Sequence, residues 1–175
     1  MNSILSGSEL PTFFFNKKLM DKLFDLIESS LEGSEYFLIE LNTRGEKRTR
    51  VLEVYVDSKG DVNLDALGEL NKLFWSKMEE NDYNDEFSKV IVSSPGIERP
   101  FRYIKQLHKH IGRLFTAKDS DGNTIEGTLT NVNEEKDEIT VEKSNTKGKK
   151  STAQMPEIFV LKFSDLSDSK IKIKF

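Results

Sequence analysis

Apolar residues recur at helical spacing from Leu19 through Leu23, Phe24, Ile27 and Leu31, so a helix is predicted from Lys17, capped by Asn16 and stopped near Gly33. Tyr36 to Leu41 alternates, with Phe37, Ile39 and Leu41 on one side. Val51 to Val56 alternates again, with Leu52, Val54 and Val56 on one face. Period-two alternation is the mark of strands. The polar stretch Asn42–Arg50 between them contains Gly45 and reads as a hairpin loop, and Ser58-Lys59-Gly60-Asp61 has turn chemistry. A second helix follows Asn63, with Leu64, Leu67, Leu70, Phe74 and Met78 as its apolar stripe. Phe87 to Ser93 is a third strand. The order α-β-β-α-β predicts a three-stranded sheet with two helices on one face and a parallel crossover from the second strand to the third.

After Ser93 the pattern changes. Ser94-Pro95-Gly96 fits a type II turn, since glycine tolerates positive φ, and Pro100 holds Arg99 extended. Pro95, Gly96, Glu98 and Pro100 therefore form a stiff interdomain linker whose expected role is to fix the angle between domains. A short helical connector, Tyr103 to Ile111, leads into five short strands: Leu114–Lys118, Asn123–Asn131, Ile139–Glu142, Ile158–Phe163 and Lys170–Lys174. Five such strands in about 65 residues suggest a small SH3-like β-barrel. The expected division is an N-terminal extension over 1–16, an α/β domain over 17–98, a connector over 99–112 and the barrel over 113–175, an α+β fold overall.

Composition narrows the function. The 175 residues contain no cysteine, which removes disulfides, thiolate metal sites and cysteine nucleophiles. No apolar run is long enough to span a bilayer, and the Phe13-Phe14-Phe15 patch has neither the basic flank nor the cleavage site of a signal peptide. The expected location is the cytoplasm. The formal net charge of −4 hides an asymmetry. Residues 1–98 carry 11 basic against 19 acidic side chains, and residues 99–175 carry 15 against 11. The two halves are thus expected to differ in their partners.

Arg99, Arg102, Lys105, Lys109 and Arg113 follow one another with no acid between them, interleaved with Phe101, Tyr103, His108 and His110. Cations neutralise phosphates and aromatic faces stack on unpaired bases, so this run is the leading candidate RNA contact. The aromatics serve equally well as packing between domains. Arg44, Lys47, Arg48 and Arg50 crowd the first hairpin, either to reach nucleic-acid phosphates or to keep an exposed strand edge from aggregating. Lys143, Lys147, Lys149 and Lys150 lie in a long polar loop that either orders on RNA or only solubilises the chain. Glu79, Glu80, Asp82, Asp85 and Glu86 cluster after the second helix, as a solvated end or a face for a basic protein. Enzyme signals are weak: His108 and His110 do not share a helical face, and no phosphate-cradling glycine loop is present.

Several segments together resemble a known family. They are Leu52-Glu-Val-Tyr-Val-Asp57 with a turn at Gly60, Val62-Asn-Leu-Asp65 entering the second helix, and Val92-Ser-Ser-Pro-Gly-Ile-Glu-Arg-Pro-Phe101. Ile111-Gly112 and Gly127-Thr-Leu129 follow in the expected order. Over residues 17–175 the chain resembles the bacterial ribosome maturation factor family RimP, most specifically in Ser-Pro-Gly-x-Glu-Arg-Pro. It departs where Asp65 is followed by Ala66 and Leu67 rather than an acid and a cysteine. The resemblance implies a non-enzymatic factor without cofactor that assists maturation of the small (30S) ribosomal subunit, and the chain is expected to act as a monomer. Its implied partners are 16S rRNA and a small-subunit ribosomal protein near the decoding centre, contacted by the barrel. The competing reading is a general RNA-binding regulator using an SH3- or Sm-like barrel on short RNAs.

Overall fold

The computed structural model describes residues 9–46, 49–96, 99–143 and 157–172, with side chains from Lys17 onward. It divides into two compact units, one reaching Val56 and resuming at Asn63–Ser93, the other made of Asp57–Val62 and the chain from Ser94.

The first unit is built from α1 (Glu9–Ser30), β1 (Tyr36–Arg44), β2 (Val51–Ser58), α2 (Leu64–Glu80) and β3 (Lys89–Ser93). The sheet order is β1-β2-β3, and β2 and β3 run parallel with Leu52 opposite Val90 and Val54 opposite Val92. Leu23 and Ile27 of α1 and Phe74 and Met78 of α2 meet Leu52, Val54 and Val56 in one core, all essentially inaccessible to solvent. Both helices therefore cover the same sheet face, because each carries a single apolar stripe that must be buried. Asn63 caps α2, its Oδ1 accepting from the Ala66 N–H at 2.8 Å.

Three local expectations are corrected. α1 begins at Glu9, so Asn16 lies inside the helix rather than at its start. Pro11 is no obstacle there, because an N–H in the first helical turn has no intrahelical acceptor to lose. In β1 the core residue is Leu38, with Tyr36 and Leu41 packed against it, rather than the face of Phe37 and Ile39. Ile39 is also buried but belongs to no part of that core, so the strand is apolar on both sides and its alternation alone does not choose a face. Leu64 opens the α2 stripe in sequence but is 85% exposed, and the helix enters the core only from Leu67 and Leu70 onward.

The second unit opens with a 3-10 helix, Ile104–His110, and continues as β4 (Leu114–Lys118), β5 (Thr124–Asn133), β6 (Glu138–Lys143), β7 (Glu157–Lys162) and β8 (Ser167–Ile171). The sheet is antiparallel in the order β7-β6-β5-β4-β8, the winding of a small SH3-like barrel. The pairing of β8 with β4 places that strand at Ser167–Ile171, shifted towards the N-terminus from the alternating Lys170–Lys174 stretch. Phe115, Leu129, Ile139 and Val141 form its core with Phe101 and Leu107, so the predicted connector is packed into this unit. Gly127 is required by a close approach: a Cβ there would lie 2.6 Å from the Glu142 carbonyl oxygen on β6.

Candidate functional site

The basic run is organised by the 3-10 helix. Its N-terminus is tied by Gln106, whose Oε1 accepts from the Arg102 N–H at 2.8 Å and from the Tyr103 N–H at 3.0 Å. The same side chain turns its Nε2 to Asp57 Oδ2 at 3.0 Å. Asp57 is buried, and its other oxygen takes the Ser58 N–H and the Lys109 ammonium. A carboxylate out of water needs such a full set of donors. Ser58 Oγ closes the adjoining turn by donating to the Gly60 carbonyl at 2.8 Å, which holds the 57–62 segment in shape.

The two histidines divide as their spacing predicts. His108 Nε2 lies 2.7 Å from Glu134 Oε1, and Lys59 Nζ reaches the same oxygen at 2.5 Å. These two partners, Lys59 first, hold the Glu134 carboxyl below the usual range. His110 faces inward, its ring 5.2 Å from that of Phe101, and its Nδ1 has no hydrogen-bond partner among the described residues. Burial, reinforced by the charges of Lys109 and Arg113, lowers its pKa to about 4, so the imidazole is neutral at physiological pH.

His110 also lines a cavity of about 290 Å³, with Asp57, Asp61, Gly96, Lys109 and Arg113 among the other walls. Gly96 adopts a φ of 72°, as the expected type II turn requires. Arg113 is exposed at this cavity and is positioned by its backbone, which donates to the His110 carbonyl and accepts from the Leu129 N–H, both at 3.0 Å. Arg99 and Arg102 are exposed on the stretch leading into the 3-10 helix, and the Lys105 ammonium sits 5.4 Å from the centre of the Tyr103 ring.

The structure thus brings Lys109 and Arg113 to one cavity and spaces Arg99, Arg102 and Lys105 along the segment before it. Of the hairpin cations, Arg44 and Arg50 lie in the first unit and are engaged there. Arg44 pairs across the strands with Glu53 at 2.7 Å, and Arg50 contacts Glu86 at 3.2 Å while covering the Phe87 ring. Lys47, Arg48, Glu98 and the lysine loop over 144–156 lie outside the described residues. In the acidic cluster, Glu79 accepts from the Trp75 indole at 2.7 Å and Glu80 pairs with Lys77 at 2.7 Å. Sequence reasoning missed Asp57 and Gln106. The available signal was an acid that continues a strand directly after the buried Val56.

Among the described residues, no three of His, Asp and Glu gather as a metal site, and no helix is long and apolar enough to cross a membrane. Residues 26–98 match the family model of the RimP N-terminal domain. That span covers most of the first unit and ends within the linker.

Proposed function

We propose, from the match of residues 26–98 to the RimP N-terminal domain, that the chain is a ribosome maturation factor of that family, that it binds the free small ribosomal subunit during assembly, through rRNA phosphates and a ribosomal protein, and that it performs no chemistry. The observation that carries this reading is the RimP N-terminal domain itself. The basic run supports it: Arg99, Arg102 and Arg113 present exposed side chains, and phosphate neutralisation is the dominant source of affinity for RNA. The exposed apolar residues Ile158 and Val160 on the edge strand β7 support a protein contact, because such edges pair readily with extended segments.

The test is co-sedimentation with isolated small subunits. A double charge reversal, Arg99→Glu with Arg102→Glu, is expected to reduce the bound fraction and to flatten its dependence on salt. Undiminished binding by a folded double variant would move the contact away from this run.

A further inference from the structure

Among the described residues, three polar groups at the cavity of the second unit have no side-chain hydrogen bond or ion pair. Arg113 makes no ion pair with any described carboxylate, and Asp61 makes none with any described cation. His110 is 5% exposed and its Nδ1 is unpartnered. Asp57, by contrast, is fully engaged by Lys109, Gln106 and Ser58, so its charge is answered within the protein. The cavity therefore offers one cation, one acid and one neutral imidazole, beside an apolar wall of Val62 and Pro95. Its volume, about 290 Å³, is at the lower end of ligand pockets, which run from roughly 300 to 1,000 Å³. One small ligand fits, rather than a strand of several residues.

We propose that this cavity is a binding site for a single ribonucleoside phosphate, with Arg113 on the phosphate, Asp61 on the ribose hydroxyls and His110 on the base edge. A guanidinium matches phosphate geometry by paired donors. A carboxylate accepts from sugar hydroxyls, the groups that distinguish RNA from DNA. A neutral imidazole is both donor and acceptor, as a base edge is. A zwitterionic amino acid would satisfy Arg113 and Asp61 but would leave the apolar wall and the imidazole nitrogen unanswered. The inference rests on the RNA-binding reading only for the origin of the nucleotide: an unpaired residue of rRNA, or a mononucleotide from solution.

The experiment is a titration of the full chain with adenosine and uridine 5′-monophosphates, followed by amide NMR shifts. Their 2′-deoxy counterparts, inorganic phosphate and a zwitterionic dipeptide are titrated alongside. Ribonucleotides are expected to shift Gly96, His110 and Arg113 and to bind better than the deoxy forms. Arg113→Gln is expected to weaken binding about tenfold or more, since a charge-assisted contact is lost. Asp61→Asn is expected to erase the preference for ribose, with thermal melts confirming that both variants fold. A short unpaired RNA that shifts the same amides, more tightly than the mononucleotide, identifies rRNA as the source; the reverse order identifies free nucleotide. Absence of ribonucleotide binding, or equal binding by phosphate or dipeptide, overturns the proposal. Co-sedimentation of the wild-type chain with small subunits is scored separately. Sedimentation without nucleotide binding defeats this inference alone, and nucleotide binding without sedimentation defeats the assembly reading alone.

Discussion

Asp57 and Lys109, 52 residues apart in the chain, form an ion pair whose carboxylate is almost wholly buried. The pair makes one member of the basic run a structural cation. Removing Lys109 strands a buried charge, and such losses cost about 3 kcal/mol or more. Lys109→Met is therefore expected to lower the urea midpoint strongly, and Asp57→Asn added to it is expected to restore part of the loss. A Lys109→Met midpoint equal to wild type would remove the pair from the account.

Gln106 makes three hydrogen bonds from one buried side chain, two to backbone donors and one to Asp57. Gln106→Ala leaves those groups without partners, at a cost of about 1–3 kcal/mol. Thermal unfolding checks this, and Gln106→Glu separates the roles: it keeps the acceptor for the backbone but sets a second carboxylate against Asp57. The account expects Gln106→Glu to be no better tolerated than Gln106→Ala.

The α-β-β-α-β order and most barrel strands were legible in the sequence because each element has one dominant periodicity. Asn63 was legible as a cap because its signal is local. What was not legible depends on distance or on ambiguity. The start of α1 was hidden by the aperiodic Phe13-Phe14-Phe15 patch, and the core face of β1 by apolar residues on both sides. Lys109 looked like its neighbours because its partner, Asp57, is remote in the chain, and nothing near Lys109 announces the pairing. Arg50 was obscured in the same way by its pairing with Glu86, 36 residues on.

His110 gives stability a defined pH window. An unfolded imidazole takes up its proton near pH 6.5, whereas the folded one does so only at about pH 4. Between those values the unfolded state binds more protons, so stability rises with pH. The contribution is complete above the unfolded value and is lost as pH falls to the folded one, at most about 3 kcal/mol. Lys109 and Arg113 deepen the window, and Asp57 and Asp61 oppose them. The difference in unfolding free energy between wild type and His110→Phe is expected to change between pH 7 and pH 4. A difference independent of pH contradicts this.

Gly127→Ala is a test of the barrel. The new methyl would meet the β6 backbone at Glu142 and the Val141 side chain, 2.6 and 2.7 Å away. Backbone cannot yield as a side-chain tip can, so the two strands must separate, at a cost of about 1–3 kcal/mol. A lowered thermal midpoint with selective loss of amide protection in β5 and β6 is the expected result. Unchanged protection in those strands would show that the sheet accommodates the methyl.

The central claim is that this chain, whose residues 26–98 match the RimP N-terminal domain, grips an incomplete small subunit. Sedimentation of the purified protein with free small subunits, and in parallel with complete ribosomes, tests it most directly. The account predicts movement with the free subunits at low salt, weakening steeply as salt rises, and little or none with complete ribosomes. Protein that stays at the top of the gradient with free subunits contradicts it.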